Sequence, residues 1–96
     1  NMIPLPSKTG YTVYTKTNCS TCETLRNVLP KATWVNCDEW LDDVDAFLEF
    51  IDSISDSQAT KFPMVFLDGQ FVTNSTKHVK HVKHVKPADF STTASF

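Results

Sequence analysis

The stretch YTVYTKTNCSTC, residues 11–22, decides the fold of this chain. Its first five residues are β-branched or aromatic, which is typical of a strand. A short polar loop follows, and Cys19 and Cys22 then open a helix that we predict over residues 21–29. A helix N-terminus offers unpaired N–H groups and a partial positive charge, and both favour a thiolate over a thiol. Because the thiolate is the nucleophile in disulfide exchange, this order of elements indicates a redox site.

The next elements supply neighbours for this strand and helix. Pro30 ends the helix, and residues 32–37 predict a second strand that is parallel to the first because a helix joins them. Residues 63–67 and 70–73 flank Asp68-Gly69 and predict an antiparallel hairpin. A second helix is predicted over residues 41–54, with an inner face of apolar side chains at helical spacing: Leu41, Val44, Phe47, Leu48, Ile51 and Ile54.

The C-terminal part contains the tripeptide His-Val-Lys three times, over residues 78–86. In a helix this repeat forms an apolar stripe of three valines, so we predict a third helix, capped by Asn74 and ended by Pro87. The order β-α-β-α-β-β-α predicts an α/β domain whose four-stranded mixed sheet is flanked by three helices.

We therefore divide the chain into an N-terminal extension over residues 1–10, one domain over residues 11–86 and a flexible tail over residues 87–96. A length of 96 residues suits one domain, and 41% hydrophobic with 21% charged residues is ordinary for a soluble protein. No apolar run approaches the ~20 residues of a membrane span, and the first residues lack the apolar region of a signal peptide. Three cysteines, an odd number, fit reduced thiols in the cytoplasm better than a secreted disulfide scaffold.

The net charge of −2 conceals a segregation of charge. Residues 38–56 include eight acids and no base, whereas residues 77–86 include four lysines, three histidines and no acid. The simplest interpretation is two solvated helix faces; the alternative is that these charges orient a charged protein partner. No aromatic residues lie among the lysines, so we expect no nucleic-acid binding. Separately, we expect the protein to be a monomer.

With these motifs, the chain resembles the glutaredoxin family, the short branch of the thioredoxin-like fold, over about residues 11–86. The resemblance depends on residues 14–19 with the following Cys22, on Phe62-Pro63, and on the hairpin over residues 64–73. It implies a dithiol thiol–disulfide oxidoreductase that reduces protein or glutathione mixed disulfides. Glutathione would be the co-substrate, and no bound cofactor is expected.

The resemblance also assigns roles to individual residues. Cys19 is expected to be the nucleophile, and Cys22 the thiol that resolves the mixed disulfide. Pro63 resembles the cis-proline that faces the cysteines in this fold and exposes the backbone before it to a peptide or glutathione. Lys16 adds positive charge near the thiolate and is expected to hold a glutathione carboxylate. The expected contacts to glutathione or peptide are Lys16, Thr21, Phe62, Pro63, Asn74, Ser75 and Thr76.

The sequence departs from the family at several places, one of which is Lys61, where a threonine is common two residues before the cis-proline. Ser20 and Thr21 stand where the family usually has Pro and Tyr, and residues 73–76 replace a Gly-Gly pair and the acid that follows it. Those glycines let the backbone approach the γ-glutamyl carboxylate of glutathione, although residues 74–76 still offer N–H groups and hydroxyls. A protein of the same fold that is reduced by a thioredoxin-type reductase is therefore the alternative.

Two other functional classes remain open. Cys19 and Cys22 could hold a metal or an iron–sulfur cluster, but structural zinc needs four ligands and Cys37 has no CxxC partner, so we expect no metal. We expect Cys37 to pack as a small hydrophobe, the alternative being a third redox thiol. We expect the histidines to be solvated. The second class is an interaction domain alone, in which the two charged segments matter more than the thiols.

Overall fold

A computed structural model describes residues 2–56, 59 and 61–76 of the chain. They form a small α/β domain with two α-helices, and the order of elements is the predicted one as far as the hairpin. The predicted third helix and tail lie outside the described residues. The elements are β1 (Tyr11–Thr15), α1 (Ser20–Val28), β2 (Thr33–Asn36), a 3-10 helix (Asp38–Trp40), α2 (Val44–Ser55), β3 (Met64–Leu67) and β4 (Gln70–Thr73).

The four strands form one mixed sheet in the order β2-β1-β3-β4. β1 runs parallel to β2 and antiparallel to β3, with Tyr14 opposite Met64, and β3 runs antiparallel to β4. Asp68 and Gly69 join β3 to β4 with φ angles of 51° and 86°, because a two-residue hairpin turn of this kind needs positive φ at both positions. The predicted parallel pair and the predicted hairpin are thus both confirmed.

Side chains that alternate along β1 enter two separate cores. Val13 packs against α1 with Leu25, Leu29 and Val65. Tyr14 points to the other face, where the core against α2 consists of Val35, Cys37, Phe47, Ile51, Ala59, Met64 and Phe66. One helix therefore covers each face of the sheet, and α1 is held through Leu25, which is fully buried.

The second helix starts later than the sequence predicted. Residues 41–43 are not helical, because the side chain of Asp43 caps α2 by accepting a hydrogen bond from the backbone N–H of Ala46 at 3.2 Å. Two of the predicted inner residues also face outward: Val44 is 50% exposed and Leu48 is 45% exposed. The buried positions of α2 are Phe47, Ile51 and Ser55, so the stripe that packs on the sheet is narrower than the apolar pattern.

The described part of the predicted N-terminal extension packs against the domain. The hydroxyl of Tyr14 donates a 2.6 Å hydrogen bond to the carbonyl of Pro4, and Ile3 packs against the core under α2. The backbone N–H of Ser7 donates to the hydroxyl of Thr12 at 2.9 Å. These contacts satisfy polar groups of β1 that the sheet leaves free.

Of the helices that the structure describes, none combines the length and the apolar character needed to cross a membrane.

Candidate redox-active site

The predicted functional residues come together at one edge of the sheet. Parallel β1 and β2 end at the same edge, by which we mean one end of the strands. β3 runs antiparallel to β1 and so begins at this edge, and β4 runs antiparallel to β3 and so ends at it. The loop 16–18 with Cys19, the Phe62-Pro63 bond and residues 74–76 therefore all lie at this edge. The topology thus places these segments at the same end of the sheet.

Cys19 and Cys22 form a disulfide at the start of α1, with their Cα atoms 5.2 Å apart. Cys19 is the N-cap residue in an extended conformation, and its Sγ accepts a hydrogen bond from the N–H of Cys22 at 3.2 Å. Cys22 is only 1% exposed, whereas Cys19 is only partly buried. The two cysteines are thus unequally exposed, and Cys22 is the enclosed one.

The peptide bond between Phe62 and Pro63 is cis, as the resemblance implied. Pro63 is fully buried just before β3, and its place in the sheet register is next to Thr15 at the end of β1. The ring of Phe62 stacks on Phe47 of α2, with the ring centroids 5.7 Å apart. This loop is therefore anchored to the core on the α2 face.

Residues 74–76 follow β4, and some of their polar groups are already engaged within the chain. The backbone N–H of Ser75 donates to the hydroxyl of Thr73 at 3.1 Å. The side-chain amide of Asn74 donates to the carbonyl of Lys61 at 3.3 Å. Two of the groups expected to receive a carboxylate thus have partners inside the protein.

A surface cleft of about 660 Å³ opens beside Cys19, on the side toward β2. Lys16 lines the cleft, as do Arg26 of α1 and Asn36 at the end of β2. Arg26 lies 4.7 Å from the ring centroid of Trp34 and forms an ion pair of 3.9 Å with the carboxylate of Glu23. Of the predicted contacts this cleft includes Lys16 alone; Thr21, Phe62, Pro63 and residues 74–76 are outside its lining.

Cys37 is completely buried in the core under α2, which confirms the prediction that it packs as a hydrophobe. Burial raises the pKa of its thiol to about 12, so it stays protonated at neutral pH. Its N–H donates to the carbonyl of Thr15 at 2.8 Å, so its backbone lies at the same edge as Cys19 although its sulfur is enclosed.

Within residues 2–56, 59 and 61–76, no three His, Cys, Asp or Glu side chains are close enough together to hold a metal ion. The three histidines lie outside these residues.

Sequence reasoning missed one residue of this edge, Asp38. Its carboxylate accepts hydrogen bonds from both the backbone N–H and the hydroxyl of Thr17, the N–H bond measuring 2.9 Å. These two bonds, together with the nearby charge of Lys16, lower the pKa of Asp38. The order of elements in the sequence could have indicated Asp38, because an acid directly after β2 lies at the edge where the loop after β1 begins.

Comparison of the chain with protein-family models and with curated proteins gives no match.

Proposed function

We propose that this protein is a thiol–disulfide oxidoreductase with the thioredoxin-like fold of glutaredoxins. The observation that carries the proposal is the unequal exposure of a CxxC pair at a helix start. Cys19 is accessible at the N-cap, and Cys22 is buried one turn further on at disulfide distance. The strand order β2-β1-β3-β4 and the cis bond before Pro63, at the same edge, support the fold assignment.

The reaction follows from this arrangement. The thiolate of Cys19 attacks one sulfur of a substrate disulfide, a new Cys19–substrate disulfide forms, and the other substrate sulfur leaves as a thiolate. The thiol of Cys22 loses its proton and attacks the sulfur of Cys19, which releases the second substrate thiolate. The two electrons gained by the substrate come from the dithiol, which ends as the Cys19–Cys22 disulfide. Two external thiols then reduce this disulfide and become oxidised to a disulfide themselves.

We propose glutathione as the external thiol and proteins with disulfides or glutathione mixed disulfides as substrates. A monomer acting in the cytoplasm, without a bound cofactor, suits this chemistry because the compartment keeps thiols reduced. Lys16, at the rim of the cleft beside Cys19, supplies a positive charge for a carboxylate of glutathione.

The contacts of residues 74–76 favour a second electron donor. The Ser75 N–H already donates to the hydroxyl of Thr73 and must break this bond before it can hold a carboxylate, and the side-chain amide of Asn74 already uses one of its two N–H donors on the carbonyl of Lys61. A thioredoxin-type reductase, which reduces the Cys19–Cys22 disulfide directly, has no need of such a site.

Turnover with purified protein separates these possibilities. The substrate is a mixed disulfide of glutathione with a small thiol, and NADPH is the electron source in two arms. The glutathione arm adds glutathione and glutathione reductase, and the other arm adds thioredoxin reductase without glutathione. We expect Cys19→Ser to abolish turnover in both arms. Cys22→Ser should retain turnover in the glutathione arm, because glutathione can resolve the intermediate, and lose the reduction of protein disulfides.

Cys37→Ala is the matched control, because it removes a buried thiol that the reaction does not use and should retain the wild-type rate. Absence of turnover in both arms, together with an ordinary pKa of about 8.5 for the Cys19 thiol, would contradict the proposed function. Turnover in the thioredoxin-reductase arm but not in the glutathione arm would identify that reductase as the donor and exclude glutathione.

A further inference from the structure

The loop that precedes Cys19 is held by one carboxylate from a distant part of the chain. Thr17 donates both its backbone N–H and its hydroxyl to Asp38, which is 21 residues further on. Each oxygen of the carboxylate accepts one of the two bonds, so Asp38 fixes the position and the orientation of Thr17 together. Hydrogen bonds to an ionised acceptor are about twice as strong as those between neutral groups.

Asp38 is itself fixed by backbone structure. Its N–H donates to the side-chain oxygen of Asn36 at 2.9 Å, and it is the first residue of the 3-10 helix. The N–H of Cys37, one residue earlier, donates to the carbonyl of Thr15 and extends the pairing of β1 with β2. The carboxylate is thus carried by the 3-10 helix that directly follows β2, and β2 is the strand adjacent to the one that leads into the loop.

The loop needs such support because of the conformation beside Thr17. Asn18 has a φ angle of 60°, in the left-handed region that a non-glycine residue adopts only at a cost. Cys19 follows immediately and holds its N-cap position, where its Sγ meets the N–H of Cys22. A loop released from Asp38 can relax at Asn18 and carry Cys19 away from the helix terminus.

We propose that Asp38 is a positioning residue for Cys19, acting through Thr17 to keep the reactive sulfur at the N-terminus of α1. The inference rests on the proposed function insofar as Cys19 is the nucleophile. Asp38 contributes geometry, because its negative charge alone would disfavour a nearby thiolate. Lys16 of the loop and the protonated thiol of Cys37 interact electrostatically with Asp38, and the acid Glu39 follows it in the chain.

The test measures the thiol pKa of Cys19 in the reduced protein, from the pH dependence of its alkylation by iodoacetamide, read by mass spectrometry of the Cys19 peptide. Asp38→Ala removes both bonds and the charge. Because Asp38 is exposed, salt screens its charge and the loss of position decides the result, so we expect the pKa of Cys19 to rise by about 0.5, the size of a helix-terminus interaction. Asp38→Asn keeps an acceptor for the Thr17 N–H and removes the charge, so the pKa should stay or fall. Asp42→Ala, which removes an exposed acid of the same segment, is the control and should change nothing.

A double-mutant cycle establishes that the effect passes through Thr17. Thr17→Val removes the hydroxyl bond alone and should raise the pKa of Cys19 less than Asp38→Ala does. The double variant should match Asp38→Ala, since no bond to Asp38 is left for the second change to break. All five variants should give wild-type circular dichroism, since residues 17, 38 and 42 are exposed.

A pKa of Cys19 that is unchanged or lowered in Asp38→Ala overturns the proposal, and so does a double variant whose shift equals the sum of the two single shifts. Alkylation needs no turnover, so this result is independent of the function. A wild type that reduces no disulfide would refute the oxidoreductase, while the alkylation series would still decide the role of Asp38.

Discussion

Two leucines at helical positions allow the packing of the domain to be tested with one kind of substitution. Leu25 of α1 is 0% exposed, and Leu48 of α2 is 45% exposed. Leu25→Ala removes three buried carbon groups at about 0.8 kcal/mol each, or about 2.4 kcal/mol. The cavity that remains between Val13, Leu29 and Val65 increases the loss of unfolding free energy to about 3 kcal/mol or more. Leu48→Ala should cost about 1 kcal/mol, because nearly half of that side chain is already in water.

The assay is urea unfolding of the oxidised protein, followed by tryptophan fluorescence and by far-UV circular dichroism. Equal slopes against urea show that both variants unfold from the same kind of native state. Alanine is the better helix former, which offsets a small part of each loss equally and leaves the difference between the variants intact. Equal losses for Leu25→Ala and Leu48→Ala would refute the burial argument, because the sequence pattern alone treats the two leucines alike.

Three further predictions concern single polar or thiol groups. Tyr14→Phe removes the donor to the Pro4 carbonyl and should lower the unfolding free energy by about 1 kcal/mol in urea; an unchanged value would mean that water replaces the bond fully. With Cys19–Cys22 oxidised, a thiol reagent such as dithionitrobenzoate should detect no reactive thiol in the native protein and one after denaturation, because Cys37 is fully buried; rapid native reaction would contradict this burial. The lowered pKa of Asp38 means that the folded protein binds fewer protons than the unfolded chain just below the ordinary aspartate pKa. The stability advantage of wild type over Asp38→Asn should thus be complete above the ordinary aspartate pKa and decline as pH falls through the lowered pKa. Urea unfolding at several pH values measures this advantage. A difference that does not change with pH would show that the protonation of Asp38 is not coupled to folding.

Much of the fold could be predicted because local signals agreed with one another. The β-branched segment before Cys19, the proline after α1 and the Asp68-Gly69 turn each select one conformation without help from distant residues. The cis bond at Pro63 was expected from family resemblance, since no local rule distinguishes it from a trans proline that opens a strand.

The start and the inner face of α2 could not be predicted from periodicity. Val44 and Leu48 fit the same helical repeat as Phe47 and Ile51, and the choice between them depends on where the sheet lies relative to the helix. Asp43 decides the first turn by capping it, but neighbouring acids made several starting points equally plausible in the sequence. Tertiary packing and one side-chain bond thus settle what the pattern left open.

The bonds between Asp38 and Thr17 were also beyond the sequence. The predicted parallel pair already placed both residues at one edge of the sheet. Nothing in the composition indicated that this acid, among eight between residues 38 and 56, would accept two bonds from the loop. Such contacts depend on positions known to within an ångström, which strand order does not provide.

The place of β1 in the sheet has a consequence for how the site moves. β1, like β3, is hydrogen-bonded to a neighbouring strand on both sides, whereas β2 and β4 are the outer strands of the sheet that the described residues form. Amide hydrogens of edge strands exchange with solvent through small local openings, and those of a central strand wait for larger ones. The segment leading to Cys19 therefore starts from one of the two central strands, where we expect the slowest exchange, so fraying of either outer strand leaves the origin of the reactive loop in place.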